Sequence, residues 1–207
     1  MDLLGIAIRK SGSARRKILP PLAAVDGVDK LRLTKLTNSE RIGILEMEIK
    51  YIIGDATQPI GEGPKLIVHI CNDVGAWGRG FVLALSNRWP VAEQRYRAWH
   101  AGKEGRPFAL GEVQIVQVAN ALWVANLIGQ QGIRTIKGVP PVRYEAIREG
   151  LRKVALAAER LGASVHMPRI GCGLAGGKWE VVAKIIEEEL VARGIPTAVY
   201  DLAPPVR

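Results

Sequence analysis

His69-Ile70-Cys71-Asn72-Asp73-Val74-Gly75-Ala76-Trp77-Gly78-Arg79-Gly80 is the stretch on which the fold turns. Residues 66–71 form an essentially continuous apolar run, the pattern of a strand covered on both faces. Asn72-Asp73 closes that run, and residues 79–88 beyond the glycines have helical composition. Glycines at 75, 78 and 80 let backbone N–H groups approach an anion closely, and a helix start adds its dipole. Strand, glycine loop and helix in this order put the loop at the carboxyl end of a strand, where open α/β sheets bind their ligands.

The alternation continues on both sides. Residues 48–53 read as a strand closed by Gly54-Asp55, and residues 92–101 as a second helix opened by Pro90. Residues 113–118 and 122–128 read as strands separated by a turn at Ala119-Asn120. Pro140-Pro141 introduces a long helix whose apolar positions Ile147, Leu151, Val154, Ala158 and Leu161 keep the helical period, with Gly162 as its stop. A short strand over 164–167 follows. Trp179, Val182, Ile186 and Leu190 mark a last amphipathic helix ended by Gly194, and residues 197–200 form the final strand. Strands alternating with helices predict a layered α/β domain with a mostly parallel or mixed sheet.

A second loop, Gly171-Cys172-Gly173-Leu174-Ala175-Gly176-Gly177, also lies between a strand and a helix and matches G-x-G-x-x-G, a pyrophosphate cradle. One such match reads equally well as a flexible connection. Two of them, each after a strand and before a helix, point to a diphosphate ligand. A nicotinamide dehydrogenase does not fit. Its fingerprint belongs to the first βα turn of a longer βαβ series, whereas only one helix and one strand follow here. Glu187, Glu188 and Glu189 lie within that helix, and Asp201 falls too far along to hold a ribose.

The 207 residues are 48% hydrophobic and 24% charged, which excludes a disordered or fibrous chain. No apolar run approaches the roughly 18 residues a spanning helix needs, so no membrane partner is expected. Two cysteines make no disulfide framework, and a reduced, cytoplasmic setting is expected. The net charge of +9 is uneven: residues 1–46 carry 9 basic and 5 acidic side chains, residues 47–207 carry 20 and 15. No basic stripe with interleaved aromatics occurs after residue 46, so a solvated surface is favoured over a nucleic-acid groove. Residues 1–46 read as a basic extension, any ordered part of it near 30–36, ahead of a domain over 47–207. The apolar residues 3–8 are too short for a signal-peptide core, and five acidic residues speak against a transit segment. The alternative is that Met47 is the natural start.

Residues 47–202 resemble a macro domain, the ADP-ribose-binding α/β/α module. Gly54-Asp55-Ala56-Thr57 looks like the family's first-strand Gly-Asp-x-Thr motif, whose Asp accepts from the adenine amino group. Asn72 and the glycines through Gly80 look like the loop around the distal ribose, and Arg169-Ile170-Gly171-Cys172-Gly173-Leu174 like the diphosphate loop. Tyr200 stands where members place a ring beside adenine. The motifs occur in family order over about three quarters of the chain. Ile70-Cys71-Asn72 with Trp77-Gly78, and Met167-Pro168-Arg169-Ile170-Gly171-Cys172-Gly173, are nearest to two branches. One contains ADP-ribose-1″-phosphate phosphatases; the other removes terminal ADP-ribose from acidic side chains. The resemblance implies a three-layer α/β/α fold with a mixed, mostly parallel sheet. It also implies ligand contacts from Asp55, Ala56, Gly75, Trp77, Gly78, Gly80, Gly171, Cys172, Gly173, Leu174, Ala175, Gly176 and Tyr200, with no cofactor.

The deglutamylating branch uses a Lys after a strand and an Asp in the diphosphate loop. Here the corresponding segments read Asn126-Leu127-Ile128-Gly129-Gln130-Gln131 and, after Leu174, Ala175, so a covalent-lysine route is not matched. Asn72 and Asp73 remain as the expected catalytic pair, Asp73 as general base toward water and Asn72 holding a ribose hydroxyl or phosphate oxygen. Asp73 reads equally as a loop carboxylate capping backbone N–H groups. His69, Cys71, His166 and Cys172 fit no common zinc spacing, and no metal site is expected. Trp77 is a lid over the distal ribose or an anchor of its loop, with the anchor favoured. Three functions follow: a hydrolase acting at the terminal ribose; a non-catalytic reader of ADP-ribose or of ADP-ribosylated protein or nucleic acid; and a nucleic-acid binder using the basic arm.

Overall fold

The structure, a computed structural model, describes residues 47–202. The extension expected over 1–46, with its ordered part near 30–36, lies outside the described residues. Among the described residues six strands form one sheet: β1 (Lys50–Ile53), β2 (Lys65–Asn72), β3 (Val113–Ala119), β4 (Leu122–Gln130), β5 (Ser164–Pro168) and β6 (Thr197–Asp201). Their order is β1-β6-β5-β2-β4-β3, and every neighbouring pair is parallel except β3 with β4. The exception has a simple cause. Only Asn120 and Ala121 separate those two strands, enough for a hairpin and far too few for a crossover.

Among the described residues four helices cover the sheet: α1 (Phe81–Arg88), α2 (Pro90–His100), α3 (Tyr144–Leu161) and α4 (Trp179–Glu189). Alternation along β2 shows how the sequence assigns the two faces. Leu66 and Val68 are fully buried with Leu127, Leu151 and Val154 on the side of α3 and α4. Ile67 and Cys71 point the other way, among Leu85, Tyr96 and Trp99 of α1 and α2. Each fully buried Leu or Ile contributes about 1.5–3 kcal/mol. Both faces are therefore cored, and the expected three-layer arrangement with a mixed, mostly parallel sheet holds.

Element boundaries shift by small amounts for local reasons. β1 begins at Lys50 rather than residue 48, and α1 at Phe81 rather than residue 79, because Gly80 takes φ 77 immediately before the helix. Trp89 separates α1 from α2 in an extended conformation (φ −138, ψ 84), as the residue before a proline tends to do. Gly162 ends α3 in the left-handed region at φ 60, its N–H reaching the carbonyls of Ala158 and Glu159. α4 stops at Glu189 and a 3-10 turn, Val191–Arg193, carries the chain to Gly194. Among the described residues no helix is long and apolar enough to cross a membrane.

Candidate functional site

A cavity of about 700 Å³ opens at the carboxyl ends of β2, β4 and β5, with His69, Ile70, Cys71 and Asn72 along its floor. Trp77, Gly78 and Gly80 of the first glycine loop form one wall, and Gly171, Gly173, Leu174 and Ala175 of the second form another. Gln130, Ile133 and Arg134 close the side next to β4. The two loops picked out in the sequence thus face one space.

Asn72 builds the first wall. Its side-chain oxygen accepts from Val74 N–H (3.2 Å) and Ala76 N–H (2.9 Å), and its amide donates to the Ala76 carbonyl (2.7 Å). Tyr96 donates its hydroxyl to the Asn72 carbonyl at 2.6 Å from below. The side chain lines the cavity but is engaged by its own loop. Asp73 lies outside the lining, and its Oδ1 accepts from Gly132 N–H at 2.7 Å, tying the β2 loop to the β4 loop. That is the capping task read as its alternative role. Gly75 of the same loop is buried, close against the His100 ring of α2. Trp77 is 7% exposed and packs edge-on to His69 (5.4 Å) and against Tyr96 (5.3 Å), so it anchors the loop in the core under α1 and α2. Its indole N–H is the one buried side-chain donor without a partner among the described residues.

The second wall is a chain of tight turns. Gly177 N–H donates to Gly171 O at 2.8 Å, Gly176 N–H to Gly173 O at 3.0 Å, and Val142 N–H holds Ala175 O at 3.1 Å. Arg169 enters the lining but is no free counter-charge. Its guanidinium donates twice to Asp201, both at 2.7 Å, and lies over Trp179 at 4.8 Å. That pairing raises the Arg169 pKa and lowers that of Asp201. Cys172 and Gly176 fall behind the lining, and burial pushes the Cys172 thiol up to about 11. Burial likewise raises the Cys71 thiol, which disfavours its thiolate. Among the described residues no group of three or more His, Cys, Asp or Glu could hold a metal ion.

Ala56 and Tyr200 belong with Ala198 to a separate buried cluster, Asp55 directly precedes Ala56 in the chain, and Phe81 both packs on that cluster and lines the cavity. Tyr200 is 4% exposed, with its oxygen accepting from Ile60 N–H (3.1 Å) and placed 3.0 Å from His166 Nδ1. Its ring thus offers no open face; the aromatic ring at this wall is that of Phe81. The Asp55 carboxylate sits below its usual range: burial opposes this, but hydrogen bonds from the Thr57 N–H and hydroxyl, both 2.8 Å, outweigh it.

Sequence reasoning missed what lies behind the floor. His69 Nε2 is 2.6 Å from Asn126 Oδ1; Asn126 donates to Gln114 Oε1 at 2.8 Å; Gln114 donates to Glu104 Oε1 at 2.8 Å. A carboxylate accepts only, so Glu104 sets the direction of the whole chain. Gln114 must turn its NH₂ outward and its oxygen inward, Asn126 likewise, and His69 is left to donate from Nε2. Burial lowers the His69 pKa to about 4, against a smaller opposing contribution from the Asn126 bond. His166 is lowered to about 4 as well, by burial and then by Lys65.

These neutral histidines predict an acid sensitivity. The unfolded chain takes up protons near 6.5, whereas the folded chain does so only near 4. Their contribution is complete above about pH 6.5 and is lost as pH falls toward 4. For His69 alone the loss is roughly 3 kcal/mol, and His166 acts in the same direction. Urea unfolding followed from pH 7 to pH 4 is the check; a flat stability across that interval would contradict it.

A family model for the macro domain matches residues 68–186. A Mus musculus protein named chromodomain-helicase-DNA-binding protein 1-like is 37% identical over 161 residues, which is 73% of this chain and 17% of that protein. The chain spans only 15% of the Danio rerio protein of the same name. The solved macrodomain protein of Streptomyces coelicolor is 54% identical with a TM-score of 0.67, and 75% of this chain and 100% of that one are covered. A Chaetomium globosum ADP-ribose 1''-phosphate phosphatase is 29% identical over 154 residues, covering 65% of this chain and 82% of that protein. The family match spans more than half the sequence and takes in both glycine loops, and the chain belongs to the macro domain family.

Proposed function

We propose that this chain binds ADP-ribose or a derivative of it in the cavity, and that it hydrolyses a bond at the terminal ribose. The observation that carries the binding is the pair of glycine loops facing one space. ADP-ribose is a diphosphate flanked by two riboses and an adenine. Backbone N–H groups hold such a diphosphate without burying full counter-charges. In this reading the diphosphate follows Gly171, Gly173 and Ala175, the terminal ribose sits by Gly78 and Trp77, and adenine lies toward Phe81 and Asp55. Arg79 and Arg134 in the lining add longer-range attraction for the phosphates. The hydrolytic part is supported by the relative named as an ADP-ribose 1''-phosphate phosphatase.

A second reading, a non-catalytic reader of ADP-ribosylated protein or nucleic acid, is favoured by one observation. The lining contains no Asp, Glu or Lys, and Asp73 is engaged with Gly132. Titration calorimetry is expected to give micromolar ADP-ribose affinity, about −8 kcal/mol. Incubation with ADP-ribose-1″-phosphate and with ADP-ribosylated protein and DNA is expected to release phosphate or ADP-ribose. Binding without release on any substrate selects the reader. Failure to bind at millimolar ADP-ribose sinks both.

A further inference from the structure

β3 is one of the two edge strands of the sheet among the described residues, and around residues 113–115 a second, open depression of about 600 Å³ lies at that edge. It is lined by five cations from three parts of the chain: Arg95 of α2, Lys103 and Arg106 of the segment after α2, and Lys153 and Arg160 of α3. Glu104 is the one carboxylate in the lining. A large share of the positive excess of the folded part is thus gathered at one place. The five positions run from residue 95 to residue 160 and form no stripe along the sequence, which is why the sequence alone suggests a bland surface.

Several side chains of the depression are held in place by the residues around it. Glu104 has a side chain only 12% exposed and accepts from Arg95 Nε (2.8 Å), Arg106 Nε (3.1 Å) and Gln114 (2.8 Å). Arg106 also donates to the Val113 carbonyl at 2.9 Å and lies 4.4 Å over the Trp99 ring. Both guanidiniums are thereby held in place from one side while remaining 54% and 36% exposed on the other. Lys153 is fixed by the Gly111 carbonyl and by Glu112. Lys103 and Arg160 are exposed and make no ion pair among the described residues. Charges that merely discourage strand-to-strand pairing at an edge need neither a concavity nor fixed guanidiniums. Prepositioned forks beside unpaired cations are what a phosphate-bearing ligand requires.

We propose that this depression is an anion site for closely spaced phosphate groups, carried either by free inorganic polyphosphate or by a nucleic-acid backbone. A single carboxylate or monovalent anion would leave most of the charge unmatched; adjacent phosphates match it. Arg95 and Arg106 supply oriented donors, and Lys103 and Arg160 supply unpaired charge. The site stands apart from the cavity at the ends of β2 and β5 and does not depend on what that cavity binds.

The test is calorimetry on the full chain with inorganic tripolyphosphate and with a short single-stranded oligonucleotide. Each is measured with and without excess ADP-ribose, and each is repeated with the double variant Lys103→Glu/Arg160→Glu. Both residues are exposed, and an unchanged thermal unfolding curve verifies the fold. At least one probe is expected to bind, to be unaffected by ADP-ribose, and to weaken about tenfold or more in the double variant. Oligonucleotide binding should also show a salt dependence whose slope falls by about one for each phosphate the variant no longer neutralises. Binding of tripolyphosphate alone assigns the site to free polyphosphate; tighter oligonucleotide binding assigns it to nucleic acid. The proposal is overturned if neither probe binds at millimolar concentration in low salt, if the double variant binds as the wild type does, or if ADP-ribose displaces the probe.

Discussion

Gly177→Ala is expected to weaken ADP-ribose binding by about a hundredfold, some 3 kcal/mol, while leaving a folded domain. A Cβ at residue 177 would lie 2.6 Å from the Gly171 carbonyl oxygen and 3.2 Å from its carbon. Those are backbone atoms, so no rotamer change can make room. The same Gly171 oxygen accepts the Gly177 N–H at 2.8 Å, the bond that closes the second wall of the cavity. An alanine must push the two strands of the loop apart, opening that bond and turning the N–H groups between them away from any bound diphosphate. Each misaimed, charge-assisted hydrogen bond loses about 1.5 kcal/mol or more, and two such losses give the stated effect. Stability should fall less, because the loop is at the surface and the core beneath it is unaltered. Calorimetric titration paired with urea unfolding separates the two quantities. Wild-type affinity in a folded Gly177→Ala protein would show that the loop does not set the ligand's position.

Much of the fold is legible in the sequence because it depends on local patterns. Residues 66–71 announce a buried strand, the period from Ile147 to Leu161 announces α3, and Gly162 marks its end. The antiparallel hairpin of β3 and β4 follows from a connection too short for anything else. Strand order is not legible in this way. A crossover through a helix leaves open which neighbour the next strand takes, and nothing local in residues 50–53 shows that β1 pairs with β6, at the far end of the chain. Boundaries slipped where a single backbone angle decides, as at Gly80.

The site divides along the same line. Glycine loops are local features, and both line the cavity where a ligand-facing loop should be. What the side chains do depends on distant partners. Asn72 commits its amide to residues 74–76, Asp73 binds Gly132, and Tyr200 turns inward toward Ile60 and His166. Asn126 was the available clue to the buried polar chain. It is the one polar residue in the apolar run 122–128, and a lone amide in a buried strand needs a partner. Its partners, 57 and 12 residues away, are visible only once the sheet and α2 are assembled.

That chain supplies the second large expected effect. Asn126→Leu is close in volume, so the cost comes from hydrogen bonding rather than from a cavity. Two groups lose their partner in a site no more than 2% exposed, His69 Nε2–H and Gln114 Oε1, while the Ala92 carbonyl loses a second donor beside its helical one. At about 1–3 kcal/mol for each orphaned group, partly relieved by relaxation, stability at pH 7 should drop by roughly 3–4 kcal/mol. A second readout distinguishes this from general loosening of the core. The Asn126 bond raises the His69 pKa against the larger lowering by burial, so its removal should move the His69 titration further below about 4. Imidazole resonances followed by NMR on acidification report that shift, and a merely loosened core would let water in and move it the opposite way. Because Glu104 orients the chain from its far end, Glu104→Gln should leave most of the stability but release the fixed order of donors and acceptors. His69 would then lose its preference for the Nε2–H tautomer, which nitrogen shifts resolve directly. A stability loss below about 1 kcal/mol in Asn126→Leu would mean that the four side chains do not act as one unit.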